Sequence, residues 1–269
     1  MPKVQVNDIQ INYEIHGEGE PLVLIGGFGV GLWIWFKQLP VFSQKFQTIV
    51  FDNRGAGLSD KPEARHTVRT MTDDGAGLLS ALSIDRAHIL GASLGGFIAQ
   101  EFALAYPQMT RSLILCCTGF GGPNYVLPPE EVLAAMSGME VLNTEERARR
   151  NLSLFFSPDY ADQHPDEAEK LIQRYLASPM PEHSYLNQLI AAMAFDSEAR
   201  VSSITAPTLV VTGDQDLFVP PENSRNLANL IPNAKLVVIE GAGHGVFMEQ
   251  TDEFNRVVLQ FLESVRDRA

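Results

Sequence analysis

Short apolar runs constrain this chain more than any other feature: PLVLI (21–25), QTIVFD (47–52), AHILGA (87–92), SLILCC (112–117), PTLVVT (207–212) and KLVVIE (235–240). Strands so continuously apolar are buried on both faces of a sheet. Between them, residues 70–82, 94–106, 222–230 and 253–265 carry apolar side chains at helical period. Strand alternating with helix implies an α/β fold with a doubly wound, mostly parallel sheet. Ahead of it, residues 3–7 and 10–16 alternate polar and apolar and meet at Asn7 and Asp8, which predicts an N-terminal antiparallel hairpin. The alternation lapses over residues 121–202, where Pro, Met, Phe and charged helical stretches mix. Loops that long are rarely structureless. The expected organisation is a core of residues 1–120 and 203–269 with a helical cap, 121–202, inserted in it.

Size and charge narrow the partners. At 269 residues a sizeable core is within reach. A net charge of −13 argues against nucleic acid as partner, since phosphate binding needs concentrated Lys and Arg. No apolar run approaches the roughly 18 residues of a spanning helix, and the N-terminus lacks a basic segment followed by an apolar one. A cytoplasmic enzyme with a small-molecule substrate is expected, with no membrane partner, as monomer or homodimer. Cys116 and Cys117 are adjacent in one strand, so they should point to opposite faces as inert thiols.

The loop after the first core strand, GGFGVGLW (26–33), invites a dinucleotide reading, since Gly27 and Gly29 supply two glycines and Asp52 follows. The fingerprint needs a third glycine for close helix packing, and that position is Leu32. A cofactor is therefore not expected. A stronger signal is Gly91-Ala92-Ser93-Leu94-Gly95, which matches G-x-S-x-G at the end of a strand and the start of an apolar helix. Its glycines permit the sharp turn that presents a serine hydroxyl at a helix N-terminus; the competing reading is an ordinary capping serine.

A serine nucleophile needs a base, and the base needs a group that fixes its tautomer. GDQDLFVP (213–220) and GAGHGVFMEQ (241–250) each follow a strand, at the edge where open α/β sheets bind ligands. His244, between Gly243 and Gly245, is the expected base. Asp214 and Asp216 compete for the acid, Asp214 being better placed to tie its own turn. His16, His66, His88, His164 and His183 form no close pair suited to zinc, so no metal is expected.

FDNRGAGLSDKP (51–62), GASLGG (91–96), GDQD (213–216) and GAGH (241–244), in that order, resemble the α/β-hydrolase-fold esterases of the carboxylesterase and enol-lactonase-like branch. The resemblance runs nearly end to end and is weakest in the cap. It implies a catalytic triad of Ser93, Asp216 and His244, and an oxyanion hole from the backbone N–H groups of Phe28 and Leu94. It also implies that Asp52 and Arg54 organise their loop, and that Trp35 packs in the core. The chain departs from the family in carrying Gly26 and Ala92 where His is common, which frees the oxyanion loop. Ser93 argues against haloalkane dehalogenases and epoxide hydrolases, which resemble this chain but carry Asp there.

The expected reaction is hydrolysis of small to medium, largely apolar carboxylic esters through an acyl-enzyme. The pocket is expected from Gly27, Trp33, Phe97, Met136, Phe155, Phe218 and Val246, with Phe28, Met139, Phe156, Met193 and Phe195 as further apolar candidates. An enol-lactone or carbon–carbon bond hydrolase is the alternative, needing a carboxylate anchor such as Arg147, Arg149 or Arg150. A hydrolase-fold ligand receptor with little turnover is the alternative of another class.

Overall fold

The computed structural model describes residues 2–137, 144–158 and 160–266. Its sheet has eight strands: β1 (Lys3–Val6), β2 (Ile9–His16), β3 (Glu20–Ile25), β4 (Phe46–Phe51), β5 (Ala87–Ala92), β6 (Thr110–Cys116), β7 (Thr208–Gly213) and β8 (Lys235–Ile239). They lie in the order β1-β2-β4-β3-β5-β6-β7-β8. β1 pairs antiparallel with β2, and β2 antiparallel with β4; every later pairing is parallel. The hairpin turns at Asn7, whose φ of 52° a tight turn requires.

Helices α1 (Leu39–Phe42), α2 (Val68–Ala81) and α3 (Leu94–Ala105) link the strands from β3 to β6. Between β6 and β7 lie α4 (Glu130–Ser137), α5 (Thr144–Phe155), α6 (Tyr160–Gln163), α7 (Pro165–Leu176) and α8 (Glu182–Met193). α9 (Pro221–Leu230), α10 (Val246–Glu249) and α11 (Thr251–Arg266) follow. α2 begins at a capping box: the Thr67 hydroxyl accepts from the Thr70 N–H at 3.1 Å and the Thr70 hydroxyl from the Thr67 N–H at 3.3 Å.

Because strand side chains alternate, each apolar run feeds two cores. Val23, Ile25, Ile49, Ile89, Leu113 and Val210 pack under α2, α3 and α9. Leu22, Leu24, Val50, Leu90, Ile114 and Val211 pack against α1 and α11. Both faces being covered is what the continuous apolar runs require. Trp35 is fully buried in the second core, its ring 5.1 Å from that of Phe247.

The segment between β6 and β7 leaves and re-enters the core at one stem. Gly121 and Asp196 form an antiparallel bridge, flanked by Gly122 N–H to Phe195 O at 3.1 Å and Ser197 N–H to Phe120 O at 2.9 Å. A Cβ on Gly121 would stand 2.0 Å from the Phe195 carbonyl oxygen, and its φ is +70°, so glycine is required there. No helix among the described residues is long and apolar enough to cross a membrane.

Candidate active site

From β3 the chain crosses to β4 on one side and returns to β5 on the other, so the strand order reverses between β3 and β5. A crevice opens at the carboxyl ends of strands at such a reversal. The loop beginning at Gly26 leaves one of those strand ends and Ser93 the other.

Ser93 has φ 56° and ψ −120°, a conformation that costs a non-glycine residue about 1–3 kcal/mol. Neighbouring bonds hold it there: Ser93 N–H donates to Cys116 O at 2.9 Å, while its carbonyl accepts from Gly96 N–H at 2.8 Å and from the Thr118 hydroxyl at 3.0 Å. The flanking glycines are sterically obligatory. A Cβ on Gly91 would lie 2.0 Å from Gly95 O, and one on Gly95 would lie 2.2 Å from Ile25 O. Although Ser93 is the N-cap of α3, its hydroxyl makes no capping bond, so the ordinary capping role does not occupy it.

Asp216 follows β7 and His244 follows β8. The His244 Nδ1 lies 3.0 Å and 2.8 Å from the two Asp216 carboxylate oxygens, and both side chains are buried. With Asp216 accepting from Nδ1–H, a neutral ring leaves Nε2 as its acceptor. Asp216 Oδ1 also accepts from Val219 N–H at 2.8 Å, and the imidazole sits edge-on to Phe155 and Phe218, with centroids 5.5 Å and 5.3 Å away. Asp214 is elsewhere: its Oδ1 accepts from Gly241 N–H at 2.7 Å, at the exposed rim. It ties the turn after β7 to the loop after β8 rather than to its own backbone, since the two parallel strands bring those loops side by side.

Glu249 is a site residue that sequence reasoning missed. Its carboxylate accepts from Gly243 N–H at 2.9 Å, and from Ser157 N–H and Oγ–H at 3.0 Å and 2.5 Å, joining the His244 loop to the segment after α5. Burial pushes its pKa up, and those hydrogen bonds oppose the shift. The signal was an acid inside the otherwise apolar VFME.

The loop after β3 is held from three sides. A Cβ on Gly27 would come within 3.2 Å of Ser93 Cβ, so this backbone passes directly beside the serine. Gly29 N–H donates to Gln188 Oε1 at 3.0 Å, and Gln188 Nε2 donates to Arg54 O at 2.9 Å. Asn53 Nδ2 donates to Gly26 O at 3.0 Å. Asp52 accepts from Leu32 N–H at 2.5 Å, Asn12 Nδ2 at 2.7 Å and Leu58 N–H at 2.8 Å. Arg54 is buried against Asp74 at 2.5 Å. Neither the Phe28 nor the Leu94 N–H has an acceptor among the described residues.

Ser93 and His244 open on one cavity of about 280 Å³. Of the residues expected in a pocket, Gly27, Phe28, Trp33, Phe97, Phe155 and Phe218 line it, as does Leu94. Val246 does not: as the first residue of α10 it is fully buried in the core. The Met136 side chain and Met139 lie outside the described residues. Phe156 is buried beside Phe155, Phe195 stacks on Phe97 with centroids 4.6 Å apart, and Met193 is 78% exposed; none lines the cavity. Arg147, Arg149 and Arg150 also stay out of its walls. Arg149 pairs instead with Glu145 and Glu169 at the surface.

Tyr125, Asn151, Tyr175 and Tyr185 are polar residues that the segment between β6 and β7 contributes to the largely apolar lining, and no motif marked them. The cysteines also depart from expectation. Cys117 has φ 47°, which ends the strand and swings its side chain, so the two sulfurs stand 3.7 Å apart instead of on opposite faces. Both thiols are free; burial pushes that of Cys117 well above its ordinary pKa.

Comparison with known proteins places the chain among hydrolases of this fold. The family profile described as serine aminopeptidase, S33 matches residues 40–251. The chain is 31% identical over 262 residues to the putative carbamate hydrolase RutD of Stutzerimonas stutzeri, covering 94% of this chain and 96% of that one. It is 31% identical to the 2-hydroxy-6-oxononadienedioate/2-hydroxy-6-oxononatrienedioate hydrolase 2 of Pseudomonas putida, over 95% of this chain and 92% of that one. Among solved structures it superposes on the enol-lactonase from Burkholderia xenovorans LB400 with a TM-score of 0.88 at 27% identity, over 97% of this chain and all of that one.

Proposed function

The chain belongs to the S33 serine aminopeptidase family of α/β-hydrolases, and from that membership we propose that it cleaves carboxylic esters with Ser93 as nucleophile, His244 as base and Asp216 as its orienting acid. The observation that carries this reading is the buried Asp216–His244 pair opening on the same cavity as a strained serine whose hydroxyl makes no capping bond. His244 Nε2 takes the Ser93 proton as Oγ attacks the ester carbonyl, and Asp216 stabilises the imidazolium. The Phe28 and Leu94 N–H groups hold the oxyanion; a donor of this kind is worth about 2.7–4 kcal/mol of barrier. The protonated His244 then gives its proton to the departing alcohol. Water activated by the same imidazole releases the acid from Ser93.

Substrate class follows from the walls. None of the described lining residues is Lys, Arg, Asp or Glu, and an ionised carboxylate buried without a partner is costly. An uncharged, largely apolar acyl group therefore fits better than a dioate. Residues 121–202 act in this reading as a lid that supplies the outer walls. A second reading, enol-lactone hydrolysis, is favoured by the likeness to the enol-lactonase. It uses the same steps with a tethered leaving group.

The test is time-resolved p-nitrophenol release from C2 to C12 acyl esters by the wild type and Ser93→Ala, with an enol-lactone in parallel. Sustained turnover abolished by the substitution supports the ester reading. Turnover confined to the lactone moves the assignment to the second reading, and one equivalent followed by silence overturns both in favour of a ligand receptor.

A further inference from the structure

Cys117 has no part in the acyl transfer just described, yet it faces the groups that perform it. The positive φ at Cys117 turns its side chain from the line of β6 into the cavity wall. There its sulfur, a carboxylate oxygen of Asp216 and a ring nitrogen of His244 all lie within 4.8 Å of one another, and all three residues are buried. Among the described residues no other group of His, Cys, Asp and Glu converges in this way. We propose that Cys117, Asp216 and His244 form a binding site for a thiophilic divalent cation, Zn²⁺ or Cd²⁺, whose occupation stops hydrolysis.

The size of the site suits such an ion. Tetrahedral zinc holds sulfur at about 2.3 Å, imidazole nitrogen at about 2.0–2.1 Å and carboxylate oxygen at about 2.0–2.2 Å, which sets ligand atoms roughly 3.3–3.6 Å apart. With His244 Nδ1 and Asp216 Oδ2 2.8 Å apart and all three ligand atoms within 4.8 Å, that spacing is reached by shifts of at most roughly 1.5 Å. The charge balance also closes: a thiolate and a carboxylate neutralise a dication, so the occupied site carries no net charge into its buried surroundings. Thiolate softness selects zinc and cadmium over magnesium and calcium. Cys117 and His244 line the cavity, which gives the ion an entry path and leaves a fourth position for water.

Binding is an exchange of protons for metal, with no oxidation or reduction. The thiol proton leaves to solvent as sulfur bonds the metal. The Nδ1 proton of His244 moves to Nε2 as Nδ1 gives its lone pair to the metal. Nε2 is then a donor and cannot accept the Ser93 proton, and Asp216 no longer orients the ring. Binding of the ion is independent of the proposed function; only the inhibition rests on it.

Titration of the full chain with Cd²⁺ separates the two. In the Ser93→Ala protein, which has no turnover to inhibit, an ultraviolet thiolate-to-cadmium charge-transfer band is expected to saturate at one equivalent. Cys117→Ser should abolish the band, Asp216→Asn should weaken Cd²⁺ binding about tenfold or more, and Cys116→Ser should leave it within about twofold. In wild-type protein the same titration should inhibit ester hydrolysis, reversibly with EDTA, and Cys117→Ser should raise the half-inhibiting concentration about tenfold or more over its own metal-free rate. A band that persists in Cys117→Ser, or equal inhibition of that variant and the wild type, overturns the site. A band in a protein that hydrolyses no ester upholds the site and counts against the ester reading alone.

Discussion

At Asp216 and Gly95 the surroundings of single atoms make sharp predictions. Asp216→Asn keeps the shape of the side chain but presents an amide N–H to His244 Nδ1 or favours the wrong tautomer. On the proposed ester reading, turnover by Asp216→Asn should therefore fall about ten-thousand-fold with thermal stability near that of the wild type, as steady-state kinetics and melting will check. Gly95 gives a prediction about packing. Alanine normally gains up to about 1 kcal/mol over glycine in a helix, but a Cβ at Gly95 meets backbone oxygens of Ile25 and Gly26 at 2.2 Å and 2.7 Å. Gly95→Ala should cost about 3 kcal/mol in urea denaturation. Gly75→Ala in α2 should be neutral or stabilising by up to about 1 kcal/mol, because its nearest neighbours stand 3.9 Å away.

At the scale of elements, α8 is joined to the loops that shape the site. Gln188 is fully buried and bonds both the Gly29 N–H and the Arg54 carbonyl, while His183 and Asn187 on the same helix bond carbonyls between Lys61 and Ala64. Gln188→Leu should lower stability by about 1–3 kcal/mol by leaving the Gly29 N–H without a partner. It should also lower kcat about tenfold, a fraction of what losing a whole oxyanion donor costs, with KM nearly unchanged. Gln188→Glu keeps the acceptor and should recover part of the loss; a variant that melts lower but keeps its kcat would reduce Gln188 to a structural link.

The sheet and its order of elements were legible in the sequence because continuous apolar runs and helical period report burial directly. The serine, histidine and acid motifs were legible because each sits where a strand meets a loop. Val246 failed because an apolar residue beside a motif can face either cavity or core, and the first turn of α10 aims it at the core. Gln188, Glu249, Tyr125 and Tyr175 were silent: Gln188 and Glu249 bond Gly29 and Ser157 far along the chain, Tyr125 and Tyr175 reach the cavity only through the fold, and a lone polar residue carries no period that points to either.

Across the whole molecule, acid should loosen the fold through His88. It is buried in β5 with Nδ1 2.8 Å from the Ser112 hydroxyl, and burial lowers its pKa to about 4, with Glu20 opposing the shift and Arg111 and Arg86 adding to it. The folded protein therefore keeps this ring neutral where the unfolded chain protonates it. The associated stability is complete above pH 6.5 and is lost as pH falls toward 4, a change on the order of 3 kcal/mol. Urea denaturation at pH 7.5 and 4.5 should show a smaller difference in His88→Gln than in the wild type.

The stem at Gly121 and Asp196 has a consequence for how such a protein diversifies. Both ends of the intervening segment meet there, so it can be exchanged as a cassette without disturbing a strand of the sheet. Any replacement must still meet the loops beside the site, among other places at a side-chain acceptor for the Gly29 N–H, where Gln188 now stands, and at a donor for Glu249, where Ser157 now stands. A lineage that keeps such attachments is free to rebuild the cavity walls that this segment supplies while inheriting Ser93, Asp216 and His244 on the sheet.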